Sequence, residues 1–388
     1  MRPAFHPPSY SHAGLPLVLP AVAASLGVDL AGPDADGVRA AALTLGLAPA
    51  QKAVVVLLDG LGLELLRRRA GHAPYLRSLL GSGRALECGF PTTTATSLTS
   101  LGTGRPPGAH GILGYELAHP VTGAVFDHLS WEGGPDPLAW QPDPTIFEAL
   151  DAAGVAVTRI GLPYFDGSGL TIAAQRGGRF VGVNSLRQAV GATARALGEP
   201  GAALVYLYWG AIDKTGHEFG CESPQWTVEL EETDRELRRL AERLPPGCSM
   251  TITADHGMVD IPFADRIDLG ADPELADGVR AITHEPRAPH VYCQPGAAAA
   301  VAERWRGRLG ERALVLTREQ AIDEGWFGPV ADRNRDRIGD VVVAMGPGMA
   351  VEDRRTSKPI LLALLGMHGS LTPDEVAVPL LHQPAAGV

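Results

Sequence analysis

The pattern of apolar and polar positions divides the chain into short buried runs and longer stretches with helical spacing. Unbroken apolar runs at Val54–Leu58 and Ala202–Trp209 are bounded by turn residues and predict buried strands, and Ser249–Ala254 reads as a third. Helical spacing predicts helices around Leu17–Leu26, Gly37–Leu45, Glu64–Ala70, Ser185–Leu197 and Ser223–Leu244, and over the ATSLTSL segment that follows Thr94. PTIFEALDAAGVAVTRIG reads as a helix and then a strand, Tyr164 and Phe165 follow it, and GSGLT reads as a turn into the next strand. Such alternation predicts an α/β fold with a doubly wound, mostly parallel central sheet flanked by helices. Between about Ile261 and Gly339 the pattern changes. EPRAPHVYC reads as a strand, AAAVAERWRGRLG as a helix, RALVLT as a strand and REQAIDEGWFG as helix-like, a βαβ-type block. Asp340–Met345 reads as a core strand again, and the tail EVAVPLLHQ finishes the sheet. The division expected is a core of residues 1–260 and 340–388 with a small α+β insertion over 261–339.

Length and composition fit that picture. A chain of 388 residues accommodates one large α/β domain and a smaller insertion. A 45% hydrophobic content and a mean hydropathy near zero fit a soluble globular protein. Lysine occurs only at positions 52, 214 and 358 among 33 basic residues, which with abundant Ala, Gly and Pro points to a GC-rich bacterial genome. A net charge of −11 argues against nucleic acid held along an extended basic surface, though not against a small anion held by divalent ions. Cys88, Cys221, Cys248 and Cys293 form no C-x-x-C and indicate neither a zinc knuckle nor a disulfide framework. Leu15–Gly27 is apolar, but its prolines and the lone Arg2 before it fit a secretory signal poorly. No run reaches the roughly 20 apolar residues that span a membrane. A cytoplasmic location is expected.

The candidate chemistry sits where apolar runs end. VVVLLDG places Asp59 just past one strand, ALVYLYWGAIDKTGHEFG places Asp213 and His217 four apart past another, and SMTITADHG ends a third with Asp255 and His256. LLALLGMHGS holds His368 in a Gly-flanked turn. Acidic and imidazole groups at such positions gather at the carboxyl ends of parallel strands. Phe90–Tyr115 adds Thr92, Thr93 and Thr94 directly before a helix, where free backbone N–H groups favour an anion; Ser and Thr are also ordinary capping residues there. Three aspartates, three histidines and a hydroxyl are what a two-metal phosphoryl-transfer site needs. Asp59-Gly-Leu-Gly lacks the third glycine of a dinucleotide loop, since Leu65 stands there. Arg67–Arg69 reads as an exposed face.

Taken together, these motifs resemble the alkaline phosphatase superfamily, most closely its nucleotide pyrophosphatase/phosphodiesterase branch, from about Val54 to His368. The family's TG…HGI signature is matched by Thr103, Gly104, His110, Gly111 and Ile112. Counting back from it, the resemblance implies that Thr94 is the nucleophile. It further implies that Asp213, His217 and His368 hold one zinc, that Asp59, Asp255, His256 and Thr94 hold the other, and that manganese competes for the sites. The implied reaction is a displacement at phosphorus through a phosphothreonine, assisted by both ions and by backbone N–H groups near Ala95. The 261–339 block resembles the cap-like insertions of this superfamily.

The chain departs from the branch at two positions. Ala95 stands where those enzymes commonly carry a base-stacking aromatic, and Ser97 stands at the position of an asparagine that holds a phosphoryl oxygen. These two are the expected substrate-binding positions. A small phosphate ester is the expected partner, with no nucleic-acid polymer and no membrane. The main expectation is a phosphodiesterase; the alternatives are a phosphomonoesterase or phosphonate-monoester hydrolase, and a non-catalytic metal-stabilised binding protein. His110 reads as structural. Residues 115–145 read as a lid or substrate wall, with Trp131 and Trp140 packing it onto the core. His284, Arg287 and His290 read equally as crevice residues or as buried contacts of the insertion.

Overall fold

The computed structural model describes residues 5–10, 13–30 and 44–387. The strands of the two main sheets are, in chain order, β1 (Lys52–Leu58), β2 (Arg84–Glu87), β3 (Ala156–Gly161), β4 (Arg179–Gly182), β5 (Ala203–Trp209), β6 (Cys248–Thr253), β7 (Val279–Ile282), β8 (His290–Cys293), β9 (Ala313–Thr317), β10 (Val341–Met345) and β11 (Ala377–Gln383). Seven of them form the central sheet in the order β2–β11–β6–β1–β5–β3–β4. The block from β6 to β4 is parallel, and β11 runs antiparallel to both of its neighbours. β1 is buried on both faces, which is why VVVLL shows no alternation.

Register sets the site. Leu58 of β1 pairs with Trp209 of β5, and Leu57 of β1 pairs with Thr253 of β6. The three strands therefore end side by side, and Asp59, the helix Ala211–Phe219 and the Asp255–His256 pair all emerge at one sheet edge. Flanking helices cover the sheet. Pro224–Ala241, for example, buries Trp226, Leu230, Leu237 and Leu240 on one face and leaves its charged face in water.

The insertion is wired differently from the expected βαβ block. Its antiparallel sheet runs β7–β8–β10–β9, so β10 lies between β8 and β9 and the helix Ala298–Leu309 crosses over it. Asp340–Met345, expected in the core, thus belongs to this second sheet. Its apolar side chains Val341, Val343 and Met345 pack with Trp305 and Val315 in a separate cluster. An apolar pentapeptide carries no mark of which sheet it joins.

Other local differences are small. GSGLT opens the helix Gly169–Gln175 with Ser168 as its N-cap, not a turn into a strand. Residues 115–145 contain a hairpin (Glu116–Ala118 with Val125–Asp127) and a short helix at Pro137–Trp140. Trp131 and Trp140 are buried in the main core, as the packing reading expected. The apolar segment near the start forms a helix at Val18–Ser25 packed into the same core. The helix expected at Gly37–Leu45 lies outside the described residues apart from Thr44 and Leu45. Among the described residues no helix is long and apolar enough to cross a membrane, and the four cysteines are free and buried.

Candidate active site

Two three-residue clusters meet at the sheet edge. Asp213, His217 and His368 form one, and Asp59, Asp255 and His256 the other; in each, the candidate ligand atoms lie within 4.8 Å of one another. Asp213 and His217 share a face of the helix Ala211–Phe219 at i, i+4 spacing, with His217 Nε2 3.4 Å from Asp213 Oδ2. His368 Nε2 lies 3.9 Å from Asp213 Oδ1. In the second cluster His256 Nε2 is 3.5 Å from Asp59 Oδ1 and 3.6 Å from Asp255 Oδ2. The rings of His256 and His368 stack at 3.7 Å, so the clusters touch. Close approach needs Gly60: a Cβ there would meet Asp213 Cβ at 2.9 Å, and its φ of +71° suits glycine.

All three imidazoles are oriented alike. Nδ1–H donates to a backbone carbonyl in each: Gly366 O for His217 (2.7 Å), Gly257 O for His256 (3.0 Å) and Thr92 O for His368 (2.8 Å). A carbonyl only accepts, so in the neutral ring the proton sits on Nδ1 and Nε2 presents its lone pair to the cluster. Asp255 Oδ1 accepts from Gly60 N–H and His256 N–H, and Asp59 Oδ2 accepts from the Tyr208 hydroxyl. The remaining oxygens Asp59 Oδ1, Asp213 Oδ1 and Asp255 Oδ2 are buried without a hydrogen-bond partner.

That electrostatic arrangement is unfavourable by itself. Burial, reinforced by the charges of Asp213 and Asp255, pushes the Asp59 carboxyl well above the usual carboxylate range. Asp255 is raised too, chiefly by burial, against the opposing influence of His256. His368 is held well below its ordinary value by burial and by the neighbouring His256 and His217. Orphaned carboxylate oxygens facing imidazole lone pairs are the donor set of divalent cations with mixed oxygen and nitrogen ligation, and two cations would neutralise the crowded acids. The residues fit such ions.

Thr94 stands at the first position of the helix Thr94–Thr103, preceded by the extended Thr93, whose side chain makes no capping hydrogen bond. Its Oγ1 lies 3.2 Å from His256 Nε2. Thr92 ties this loop to the His368 turn: its N–H donates to Gly369 O, its hydroxyl donates to Ser370 O, and its carbonyl receives His368 Nδ1–H. The three consecutive threonines therefore do different work. His110 is buried deeper, with Nε2 2.9 Å from Ser100 Oγ and Nδ1 accepting from Ile112 N–H. Ala95 and Ser97 are fully buried, and neither lines the two cavities at Thr94.

Two cavities converge on Thr94, Asp213 and Leu129. One, of about 260 Å³, is walled by Tyr115, His284, Glu285 and Leu362; the other, of about 700 Å³, by Arg159, Tyr164, Phe165, Phe180 and Lys214. Leu129 and Ser130 bring the 115–145 segment into the wall. Of the three insertion residues left open by the sequence, only His284 lines a cavity, bonded to Glu116. Arg287 is buried against Glu375, and His290 is buried with Nδ1 accepting from Gly339 N–H.

Sequence reasoning missed Tyr208, Arg159 and Glu285. The first had a signal: Tyr206 and Tyr208 alternate at the end of β5, so both leave the strand on one face. Glu285 had none. Burial pushes its carboxyl up to about 8 from an ordinary 4.5, so it is protonated at neutral pH. The folded protein keeps that proton up to about pH 8 while the unfolded chain releases it near 4.5, so folded-state stability falls as pH rises between those values. Glu285→Gln is expected to flatten that slope, worth on the order of a few kcal/mol at pH 8. Thermal melts of the metal-free proteins at pH 5 and pH 8 check this; parallel slopes in wild type and variant would show Glu285 ionised.

A family model described as type I phosphodiesterase / nucleotide pyrophosphatase matches residues 53–371. An uncharacterised pyrophosphatase/phosphodiesterase of Schizosaccharomyces pombe is 27% identical over 219 residues, 53% of this chain and 44% of the yeast protein, so less than half of the relative's length is matched. Among solved structures, murine ectonucleotide pyrophosphatase/phosphodiesterase 5, in an inactive threonine-to-alanine form with AMP, superposes with a TM-score of 0.69 at 21% identity, covering 85% of this chain and 87% of the other. Phosphonoacetate hydrolase of Sinorhizobium meliloti, with phosphonoacetate, gives 0.67 at 22% identity, covering 87% and 92%.

Proposed function

Since the chain belongs to the type I phosphodiesterase / nucleotide pyrophosphatase family, we propose that it hydrolyses small phosphodiesters with Thr94 as nucleophile and two zinc ions, manganese being the competing metal. The observation that carries this reading is the position of Thr94 Oγ1, 3.2 Å from His256 Nε2, where two carboxylate–imidazole clusters meet. Asp213, His217 and His368 would hold one ion; Asp59, Asp255, His256 and Thr94 the other. Bound there, the ions supply Lewis-acid stabilisation of charge on the phosphoryl oxygens and lower the pKa of a hydroxyl or water.

The chain's own residues do the rest. Thr94 Oγ attacks phosphorus, the P–O bond to the leaving alcohol breaks, and a phosphothreonine forms; water then cleaves it and returns the Thr94 hydroxyl. Backbone N–H groups of the helix's first turn face the phosphoryl oxygens. Thr92 holds the His368 turn against the nucleophile, and Tyr208 orients Asp59. The segment 261–339, extended by β10, acts as a cap that contributes His284 and Glu285 to the wall. A threonine nucleophile also fits the murine neighbour, whose inactive form carries alanine for threonine. Four unpaired thiols suit a reducing compartment, and we place the enzyme in the cytoplasm.

Two cavities meeting at the nucleophile suit a phosphorus with two substituents, one in each. The expected result is a higher kcat/KM for bis-p-nitrophenyl phosphate than for p-nitrophenyl phosphate on the zinc-loaded protein. The reverse order would favour a monoesterase, and turnover of neither would favour the binding-protein alternative.

A further inference from the structure

Among the described residues four arginines are buried: Arg159, Arg266, Arg287 and Arg337. Three of them are satisfied. Arg287 grips the Glu375 carboxylate and two backbone carbonyls, Arg266 donates to the carbonyls of Ile261, Leu362 and Leu364, and Arg337 donates to Gly111 O while lying on the Trp140 ring. Arg159 is the exception. It is 7% exposed, and its Nε and Nη1 are buried without a hydrogen-bond partner. The centroid of the Phe180 ring lies 5.7 Å from its guanidinium carbon. Asp166, an exposed acid whose charge acts on it, makes no ion pair with it. Arg159 lines the larger of the two cavities at Thr94.

A buried guanidinium with vacant donors is unfavourable unless an acceptor arrives to meet it. Burial also holds the Arg159 guanidinium below its ordinary value, though it stays a cation at any physiological pH. The cavity around it is mostly apolar and aromatic, through Phe165, Phe180 and Tyr206, so water there is a poor substitute for a fixed anion. The carboxylates that line the same cavity, Asp59 and Asp213, are committed to the two clusters. A neutral acceptor would satisfy the N–H groups but leave the charge uncompensated. A carboxylate or phosphate does both, in the bidentate geometry that the guanidinium fork favours.

We propose that Arg159 is a specificity-determining residue: it pairs with a second anionic group, carboxylate or phosphate, on the substituent that enters the larger cavity. Preferred substrates then carry a negative charge remote from the scissile phosphorus. This rests on the phosphodiesterase reading above.

The test uses p-nitrophenyl phosphodiesters whose second arm ends in a carboxylate or in the amide of equal length, over a series of arm lengths. At the best length the zinc-loaded protein should prefer the carboxylate by about tenfold or more in kcat/KM. Arg159→Met should collapse that ratio towards one, with Arg159→Lys in between. Equal turnover of both esters at every length, or a preference that survives Arg159→Met, overturns the proposal. If neither ester is turned over, the hydrolase reading fails, and calorimetry on the zinc-free protein still decides the anion site. There, 4-phenylbutyrate should bind more tightly than 4-phenylbutyramide in wild type but not in Arg159→Met, and no difference in wild type rejects it. Stability separates a structural role. An unpaired buried charge replaced by a similar apolar shape should melt no lower than wild type, whereas a large fall in Tm would assign Arg159 to packing against Phe180.

Discussion

Thr94→Ala is expected to lower turnover by about a thousandfold or more while the protein still binds both metal ions. The hydroxyl sits at the start of a helix, 3.2 Å from His256 Nε2, where the two clusters meet. Each cluster keeps its three carboxylate and imidazole groups in the variant, so metal content should hold. Thr93 and Thr92 give the controls. Thr93 precedes the helix without a side-chain capping bond and bonds Glu285, and Thr92 is spent on the His368 turn. Thr93→Ala should retain most of the turnover. An inactive Thr93→Ala beside a fully active Thr94→Ala would shift the nucleophile by one residue.

The second large effect concerns Arg287. Its guanidinium forms a two-pronged bond to Glu375 and donates to the carbonyls of Gly346 and Met349, with both charged side chains wholly buried. Glu375 also accepts from Ser370 N–H and the Thr372 hydroxyl. The cluster therefore clamps the His368 turn to the second sheet. Arg287→Ala leaves a buried carboxylate unpaired and is expected to cost about 3–5 kcal/mol of stability. Arg287→Met combined with Glu375→Leu should recover part of that loss, because the uncompensated charge is gone. Urea unfolding of the three proteins checks it. A single variant within about 0.5 kcal/mol of wild type would mean the clamp is not holding the fold.

The candidate site was more legible than its surroundings for a physical reason. An Asp–Gly or Asp–His–Gly step that ends an apolar run marks the carboxyl end of a buried strand, and parallel strands place those ends together. Asp59 and the Asp255–His256 pair carried that mark, while Asp213 and His217 stood four apart just past an apolar run and His368 in a Gly-flanked turn. β10 carried none, since VVVAM has the same apolar character in either sheet and only its pairing with β8 and β9 decides. GSGLT misled because glycine and serine mark turns and helix starts alike. Arg159, Glu285 and the Arg287–Glu375 pair were hidden for another reason. A charged residue inside AVTRIG carries no mark of burial, and for Arg287, read equally as a crevice residue or a buried contact, the partner Glu375 lies distant in the chain.

The central claim is that catalysis needs both clusters filled, and one titration tests it. The protein is stripped with chelator until metal analysis finds none, then zinc is added stepwise while bound metal and phosphodiester turnover are followed in the same sample. Zinc uptake should release protons, since burial and the charges of Asp213 and Asp255 raise the Asp59 carboxyl, and burial raises Asp255. The account predicts no turnover in the stripped protein and full activity only as the second equivalent binds, with His368→Ala and Asp255→Ala each stopping one ion short and inactive. Full turnover in protein shown to be free of metal would contradict it.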